Sequence, residues 1–215
     1  METTKSLRRR AEQGNTDAQF RLAYRLAFGR KRPRPTDWEA VFKLCRSAAA
    51  AGHVRAQFYL GTCYDSGQGC AQNVSEAMRW YRKAAKAGHP EAQYNLAFGY
   101  REGDGVPQDY AAMIRWLSKA AEAGDADSQR DLGWCYHEGK GVTVDYTAAV
   151  RWYRKAAKAG DAMAQYNLGL CYMEGDGVAV SKRWATYWFE RAAEQGYRKA
   201  SAKMAIFSSL TGPLS

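Results

Sequence analysis

The chain has 215 residues, of which 46% are hydrophobic and 13% aromatic, and its formal net charge is +10. This apolar content is enough to bury an extended core, which excludes an intrinsically disordered chain. No apolar run approaches the ~20 residues of a membrane helix, and no apolar stretch follows the N-terminal charges as in a secretory signal. We therefore expect a soluble, cytoplasmic protein.

Positive charge is concentrated at the N-terminal end. Residues 1–36 hold ten Lys or Arg residues against three acidic ones, which accounts for +7 of the total. These cations are Lys5, Arg8, Arg9, Arg10, Arg21, Arg25, Arg30, Lys31, Arg32 and Arg34. We expect residues 1–13 to be a basic N-terminal segment or capping helix. Such a charge density can attract nucleic acid or an anionic membrane surface.

A 36-residue unit then recurs along the chain. Its phase is marked by glycines 36 residues apart, at Gly52, Gly88, Gly124, Gly160 and Gly196. A period of this length is typical of a solenoid, in which each unit buries its apolar face against its neighbours. We predict repeats over 14–207, in units of about 14–51, 52–87, 88–123, 124–159 and 160–195 with a partial unit at 196–207. Residues 208–215 are expected to form a tail.

The unit at 160–195 illustrates the expected elements. Gly160 ends the preceding helix, because a residue without a Cβ tolerates the left-handed turn. Asp161 caps a first helix over about 162–174. A Gly-Asp-Gly-Val turn follows at 175–178, and a second helix begins near Ser181 and returns to the next glycine.

These residues resemble a known family, the Sel1-like repeat, a relative of the tetratricopeptide repeat. The resemblance rests on Ala-Gln-Tyr-Asn-Leu-Gly-Leu-Cys-Tyr-Met-Glu-Gly-Asp-Gly-Val at 164–178 and on Trp-Tyr-Arg-Lys-Ala-Ala-Lys-Ala-Gly at 152–160. It implies an all-α, right-handed α/α solenoid of about five helix-turn-helix repeats with a C-terminal capping helix. It also implies an interaction scaffold, commonly found in bacterial signalling, envelope or host-interaction settings.

Catalytic and metal motifs are not apparent. The Gly-Asp-Gly-Val turns have neither the lysine nor the preceding strand of a phosphate-binding loop. The three histidines lack zinc-ligand spacing, and no serine or cysteine has the surroundings of a nucleophile elbow. We predict no enzyme activity, no cofactor and no metal.

The cysteines fit a reducing compartment. Cys63, Cys135 and Cys171 share one repeat register and are predicted to be small buried hydrophobic residues. Only Cys63 and Cys70 are placed so that they could pair.

Two further series of residues are interpreted as structural. The tryptophans at one register, Trp80, Trp116, Trp152 and Trp188, are predicted to pack in the core rather than to form a ligand-stacking ladder. The cations of the second helices are predicted to be a solvated outer face. The cations concerned are Arg79, Arg82, Lys83, Lys86, Arg151, Arg154, Lys155 and Lys158.

The variable positions of the first helices supply the candidate partner-binding residues. In tetratricopeptide-like solenoids these helices line the concave surface, and a groove of aromatic residues with an arginine is typical of a binding hot spot. The candidates are Phe58, Tyr94, Phe98, Arg101, Arg130, Trp134, His137, Tyr166, Leu170 and Met173. An equally weighted alternative is that Phe58 and Tyr94 pack against the neighbouring repeat.

The resulting functional hypothesis is a non-enzymatic scaffold or adaptor whose concave groove binds a partner protein or peptide. One alternative is electrostatic binding of nucleic acid or anionic lipid by the basic N-terminal end. Another is that the chain is an immunity protein that neutralises a secreted toxin.

Overall fold

The computed structural model of the chain describes residues 3–29 and 36–211, with side chains as far as residue 204. These residues form twelve α-helices and no strand, which confirms the all-α prediction. The basic residues at 30–34, the side chain of Ile206 and the Gly212–Pro213 pair lie outside the described parts. Within the described ranges, none of the helices has the length and apolar character that crossing a membrane requires.

The helices fall into two compact units, residues 1–109 and 110–215. Unit 1 contains α1 (Thr4–Glu12), α2 (Thr16–Phe28), α3 (Trp38–Ala50), α4 (Val54–Ser66), α5 (Val74–Lys86) and α6 (Pro90–Glu102). Unit 2 contains α7 (Tyr110–Glu122), α8 (Ala126–Glu138), α9 (Tyr146–Lys158), α10 (Ala162–Glu174), α11 (Lys182–Glu194) and α12 (Arg198–Thr211). Within each unit, consecutive helices pack against each other as a stack of helical hairpins.

The 36-residue period follows from the lengths of the elements. From α4 onward, each complete repeat consists of two 13-residue helices, a seven-residue turn such as 67–73 and a three-residue turn such as 87–89. In the repeat before it, nine residues separate α2 from α3, which makes that repeat two residues longer. The last helix extends through Thr211, beyond the predicted end of the repeats at 207. At the other end, α1 lies within the predicted segment 1–13 and buries Leu7 completely.

The turns have the chemistry that the sequence predicts. Gly160 has a φ of +100°, and the next residue, Asp161, accepts a hydrogen bond from the Ala164 N–H at 2.6 Å. In the longer turn Gly175 has a φ of +88°, and the Ser181 N–H donates to the Tyr172 carbonyl at 2.8 Å. Any other residue would be strained at these positive φ angles, which explains why glycine recurs at both turn positions.

The framework leucines form the core of both units. Leu60 and Leu96 in unit 1 and Leu132 and Leu168 in unit 2 are all fully buried or nearly so. The paired alanines at the end of each second helix are mostly buried as well, which lets neighbouring backbones approach closely.

A glutamine that recurs beside the leucines is also buried, except at Gln57, which is half-buried; the sequence reasoning overlooked this glutamine. Its amide Nε2 donates to the alanine carbonyl eight residues earlier, near the end of the preceding helix, at 3.0–3.4 Å. The donors are Gln19, Gln57, Gln93, Gln129 and Gln165. Each bond gives a second donor to a carbonyl at a helix end, which also accepts from the N–H of the glycine three residues later.

The tryptophan series needs a correction. Trp188 is buried, but Trp80, Trp116 and Trp152 are only half-buried at the edge of the core. The ammonium group of the lysine three residues later lies over each of these three rings, 3.9–4.7 Å from its centroid. These tryptophans therefore lie between the core and the solvent. A lysine covers each ring, because residues at positions i and i+3 share a helix face.

The outer face of the second helices is also less uniform than predicted. Arg82 donates to the Tyr100 hydroxyl at 2.9 Å and Arg154 to the Tyr172 hydroxyl at 3.1 Å, and both arginines are half-buried. The prediction of a solvated face holds for exposed side chains such as Lys86 and Arg151.

All five cysteines are free thiols. Cys63, Cys135 and Cys171 are buried as predicted, and burial raises the pKa of the Cys171 thiol to about 12. Cys63 and Cys70 do lie near each other: the Cys70 thiol donates to the Cys63 carbonyl with an Sγ to O distance of 3.5 Å. Buried thiols with a raised pKa are poor nucleophiles, so they act as packing residues.

Candidate functional site

One register of the predicted site lies at the junctions between consecutive repeats. In four repeats, the residue two positions before the framework leucine contacts the residue that immediately precedes the next first helix. Phe58 stacks on His89 with ring centroids 4.6 Å apart, and Tyr166 lies 5.3 Å from Tyr197. Phe58 therefore packs against the neighbouring repeat, as the alternative interpretation of this residue expected, and Tyr166 does the same.

Arg130 occupies this register in unit 2 and makes the polar version of the same contact. Its guanidinium donates to Asp161 at 2.9 Å, to Asp131 at 2.9 Å and to Asp127 at 2.6 Å. The arginine side chain is only 15% exposed. Burial alone would lower the pKa of Arg130, but Asp131 and Asp161 outweigh it and raise that pKa above its ordinary value. Arg130 is thus neutralised within the fold instead of being available to a partner.

The register two positions after the framework leucine points outward. Phe98 is 45% exposed in unit 1 and Trp134 is 36% exposed in unit 2. Tyr24, at the same register of the first repeat, is likewise exposed, and Leu170 is half-buried. These partly exposed apolar side chains are the part of the predicted site that presents surface to solvent.

In unit 2 this surface spans two neighbouring helices. Asp161 at the start of α10 is bonded to Arg130 near the start of α8. Asp176, after the end of α10, lies 3.3 Å from Nε2 of His137 at the end of α8. The two helices are therefore tied side by side at both ends. Trp134 and Leu170 lie between these ties, with Met173 half-buried on the last turn of α10; we call these three residues the α8–α10 patch.

His137 has a structural contact on each side of its ring. Nδ1 lies 2.8 Å from a Glu138 carboxylate oxygen, and the ring packs edge-on against Tyr146 with centroids 5.1 Å apart. It borders the α8–α10 patch as a positioning group for the two helices.

In unit 1 two of the candidate residues lie together on α6: Phe98 is exposed and Arg101 is half-buried. The Arg101 guanidinium carbon lies 4.4 Å from the centroid of the Phe98 ring, and its Nε donates to Glu102 at 2.7 Å. An arginine over a partly exposed aromatic ring presents a broad, partly charged surface. Tyr94, one turn earlier on α6, is half-buried.

Unit 1 also has an aromatic cluster that the sequence reasoning did not assign to the site. Tyr24 and Phe28 are exposed on α2, and each ring centroid lies 5.8 Å from that of Tyr59 on α4. The spacing of Phe20, Tyr24 and Phe28 at intervals of four residues places them on one helix face. That spacing was the available signal in the sequence.

The electrostatic alternative stays a prediction. Arg8 and Arg9 are exposed on α1, whereas Arg25 donates to the Thr4 hydroxyl at 3.3 Å. The other part of the basic segment, residues 30–34, is outside the described parts. No three His, Cys, Asp or Glu side chains among the described residues are grouped so that they could hold a metal ion.

Stacked 13-residue hairpins, glycine-closed turns and apolar side chains exposed at a fixed register define a helical-repeat protein. The Sel1 repeat matches five times, over residues 16–53, 54–89, 90–125, 126–161 and 162–197. The chain therefore belongs to the Sel1 repeat family, and its fold is an all-α solenoid. Proteins with Sel1 repeats are generally protein-interaction scaffolds.

Solved structures agree with this family. A protective antigen of uropathogenic Escherichia coli with the same repeat fold is 36% identical, with a TM-score of 0.89, over 93% of this chain. This chain spans only 42% of that antigen's length. A Sel1 repeat protein from Oxalobacter formigenes is 34% identical, with a TM-score of 0.79, over 87% of this chain and 74% of its own. An immunity protein from Pseudomonas aeruginosa is 26% identical, with a TM-score of 0.51, over 86% of this chain and 66% of its own.

Proposed function

We propose that this chain is a non-enzymatic scaffold that binds a partner protein through the exposed apolar residues of its first helices. The observation that carries the proposal is the partial exposure of Trp134 and Phe98, two large aromatic residues at the same register. Buried aromatic anchors account for much of the binding energy at protein interfaces, because they exclude water over a large area.

The α8–α10 patch is the proposed contact in unit 2. Trp134 is the large anchor, and Leu170 and Met173 extend the apolar surface along the neighbouring helix. The ties at both ends of the two helices hold that surface rigid before a partner arrives, which lowers the entropy lost on binding. Phe98 with Arg101 is the proposed contact in unit 1.

Arg130 is not part of the proposed contact. Its three carboxylate partners are within the same unit, so binding a partner's acidic group would require breaking them. A variant at Arg130 would therefore report on folding, whereas a variant at Trp134 reports on binding.

The test is affinity capture from the source cells, followed by calorimetry with each identified and purified partner. Trp134→Ala and Phe98→Ala should each weaken the same complex by about thirtyfold or more, since hot-spot truncations cost about 2 kcal/mol or more. Trp184→Ala is the matched control, because Trp184 is an exposed tryptophan of unit 2 on a second helix, α11. The proposal is wrong if the affinity of every partner is unchanged by both Trp134→Ala and Phe98→Ala.

A second candidate function is neutralisation of a toxin. It is favoured by the similarity to the Pseudomonas aeruginosa immunity protein over 86% of this chain. In that case the captured partner would be a toxin, and co-expression of this chain would restore growth of cells that produce it. Failure to protect cells from any toxin gene adjacent to this one would reject this candidate and leave the scaffold proposal intact.

A further inference from the structure

Unit 2 has a cavity on the side of the second helices, away from the surface proposed above. It encloses about 450 Å³ and is lined mainly by residues of α9 and α11, with Tyr172 from α10. This volume is within the range of small-molecule sites, roughly 300–1,000 Å³.

The walls of the cavity are aromatic. The Tyr172 and Trp184 rings are stacked, with centroids 6.2 Å apart and planes at 28°. Tyr187 meets Trp184 edge-on with centroids 5.5 Å apart. Trp184 is 45% exposed and Tyr187 is 38% exposed, so the two rings present apolar surface that no other part of the unit covers.

The repeat itself shows that these two aromatics are not needed for folding. At the register of Trp184, the two preceding repeats have Ala148 and Ala112. At the register of Tyr187 they have Arg151 and Arg115. Helices of the same length form with those residues, so the fold has no requirement for large rings here. Exposed aromatic residues that replace small or charged framework residues indicate a role beyond packing.

Three cations surround the rings: Arg154, Lys158 and Arg191. Arg154 donates to the Tyr172 hydroxyl and Arg191 to the Tyr187 hydroxyl, each at 3.1 Å. None of the three forms an ion pair with any residue that the structure describes. Each guanidinium has five N–H donors and uses only part of them on tyrosine, so the cavity keeps donors and positive charge for a ligand.

We propose that this cavity binds a small planar aromatic anion, such as one or two fused rings that carry a carboxylate, sulfate or phosphate. The ring stacks against Trp184 and Tyr187, and the anionic group takes the free donors of Arg154 and Arg191. Aromatic stacking and charge-assisted hydrogen bonds act on different parts of one molecule, so both are required for full affinity. A neutral ring or an anion without a ring satisfies only half of the site.

The test uses the full chain and naphthalene-1-carboxylate as the probe. Calorimetry compares it with 1-naphthalenemethanol, which lacks the charge, and with acetate, which lacks the ring. We expect the neutral ring and acetate each to bind about tenfold more weakly or worse. In ¹H–¹⁵N spectra, the indole N–H resonance of Trp184 should shift on titration with the probe.

Two variants test the two halves of the site. Trp184→Ala introduces the residue that two preceding repeats have, and Arg191→Gln removes one cation; each should reduce affinity for the probe about tenfold. Lys155→Gln is the matched control, because Lys155 occupies the register of Arg191 one repeat earlier. The affinity of this variant for the probe should equal that of the wild type. Thermal melts of all variants check folding, and Arg191→Gln keeps the test decisive if Trp184→Ala melts early.

Absence of probe binding at millimolar concentration would overturn the proposal, as would equal binding of the neutral alcohol. Equal affinity of wild type and Arg191→Gln would also overturn it. Trp134→Ala should leave probe binding unchanged, so this site and the proposed protein contact succeed or fail separately.

Discussion

Replacing Arg130 tests whether the central cation of the predicted hot spot is structural. In Arg130→Met, the aliphatic part of the side chain is kept and the guanidinium is lost. Asp131 and Asp161 are then left close together, 17% and 14% exposed, without their shared cation. Breaking a fully buried ion pair costs about 3–5 kcal/mol, and exposed pairs are worth about 0–1 kcal/mol. For this mostly buried cluster we expect a loss of about 2–4 kcal/mol in the free energy of unfolding.

The position of Asp161 makes the effect larger than that of one ion pair. Its Oδ2 accepts from Arg130, while its Oδ1 caps α10 through the Ala164 N–H. Without the arginine, mutual repulsion from Asp131 acts on the capping carboxylate as well. We therefore expect amide protons in the first turn of α10 to lose protection from hydrogen exchange.

The assay is urea unfolding followed by circular dichroism, with hydrogen exchange as a local readout. Arg151→Met is the matched control, because Arg151 is exposed on α9 and should change stability by less than about 0.5 kcal/mol. A loss below about 0.5 kcal/mol for Arg130→Met, with normal protection of α10, would refute the structural role of Arg130. It would also return this arginine to the set of residues free to bind a partner.

Three further predictions concern the same framework. In Gly133→Ala, the added Cβ would lie 2.7 Å from the buried Tyr153 ring, so we expect a net loss of about 1–2 kcal/mol despite the better helix propensity of alanine; a neutral or higher urea midpoint would contradict this. Gln129→Leu removes the side-chain donor of the Ala121 carbonyl, which keeps the Gly124 N–H as its other donor. We therefore expect a loss of about 0.5–1.5 kcal/mol in the free energy of unfolding, measured in the same way, whereas an unchanged midpoint would show that the bond is dispensable. Burial lowers the pKa of His89 from 6.5, so protonation opposes folding and stability should fall as the pH drops below that value. His89→Asn should show a weaker fall in melting temperature between about pH 7.5 and pH 5, and parallel pH profiles for the two proteins would contradict the assignment.

The repeat explains why so much of the fold could be predicted. Each element appears several times, with glycines and capping residues at the same positions, so a pattern seen once is checked by its other copies. The first helix predicted over about 162–174 begins at Ala162 and ends at Glu174. The cap predicted at Asp161 makes the expected hydrogen bond. Local chemistry determines these features, and local chemistry is visible in a sequence.

The candidate site depended on contacts between residues far apart in the chain. Arg130 looked available because it varies within a constant frame, but its partner Asp161 is 31 residues away in the next repeat. Burial of the half-covered tryptophans was likewise overestimated, because register alone does not show that Lys83 or Lys155 lies over the ring.

Two signals were present in the sequence and were not used. The glutamine three residues before the framework leucine recurs in five repeats. A polar residue that recurs at one position next to the core indicates a conserved hydrogen bond within the repeat. Trp184 and Tyr187 depart from the residues of the earlier repeats, and comparison of the repeats with one another reveals this without any structure.

Photo-crosslinking measures most directly which surface of the chain meets its partner. A photoreactive phenylalanine analogue is placed at position 134 in one protein and at position 184 in another, and both are irradiated in the source cells. We predict that the partner is covalently captured from position 134 and not from position 184. Capture from position 184 alone would contradict the proposed role of the first helices.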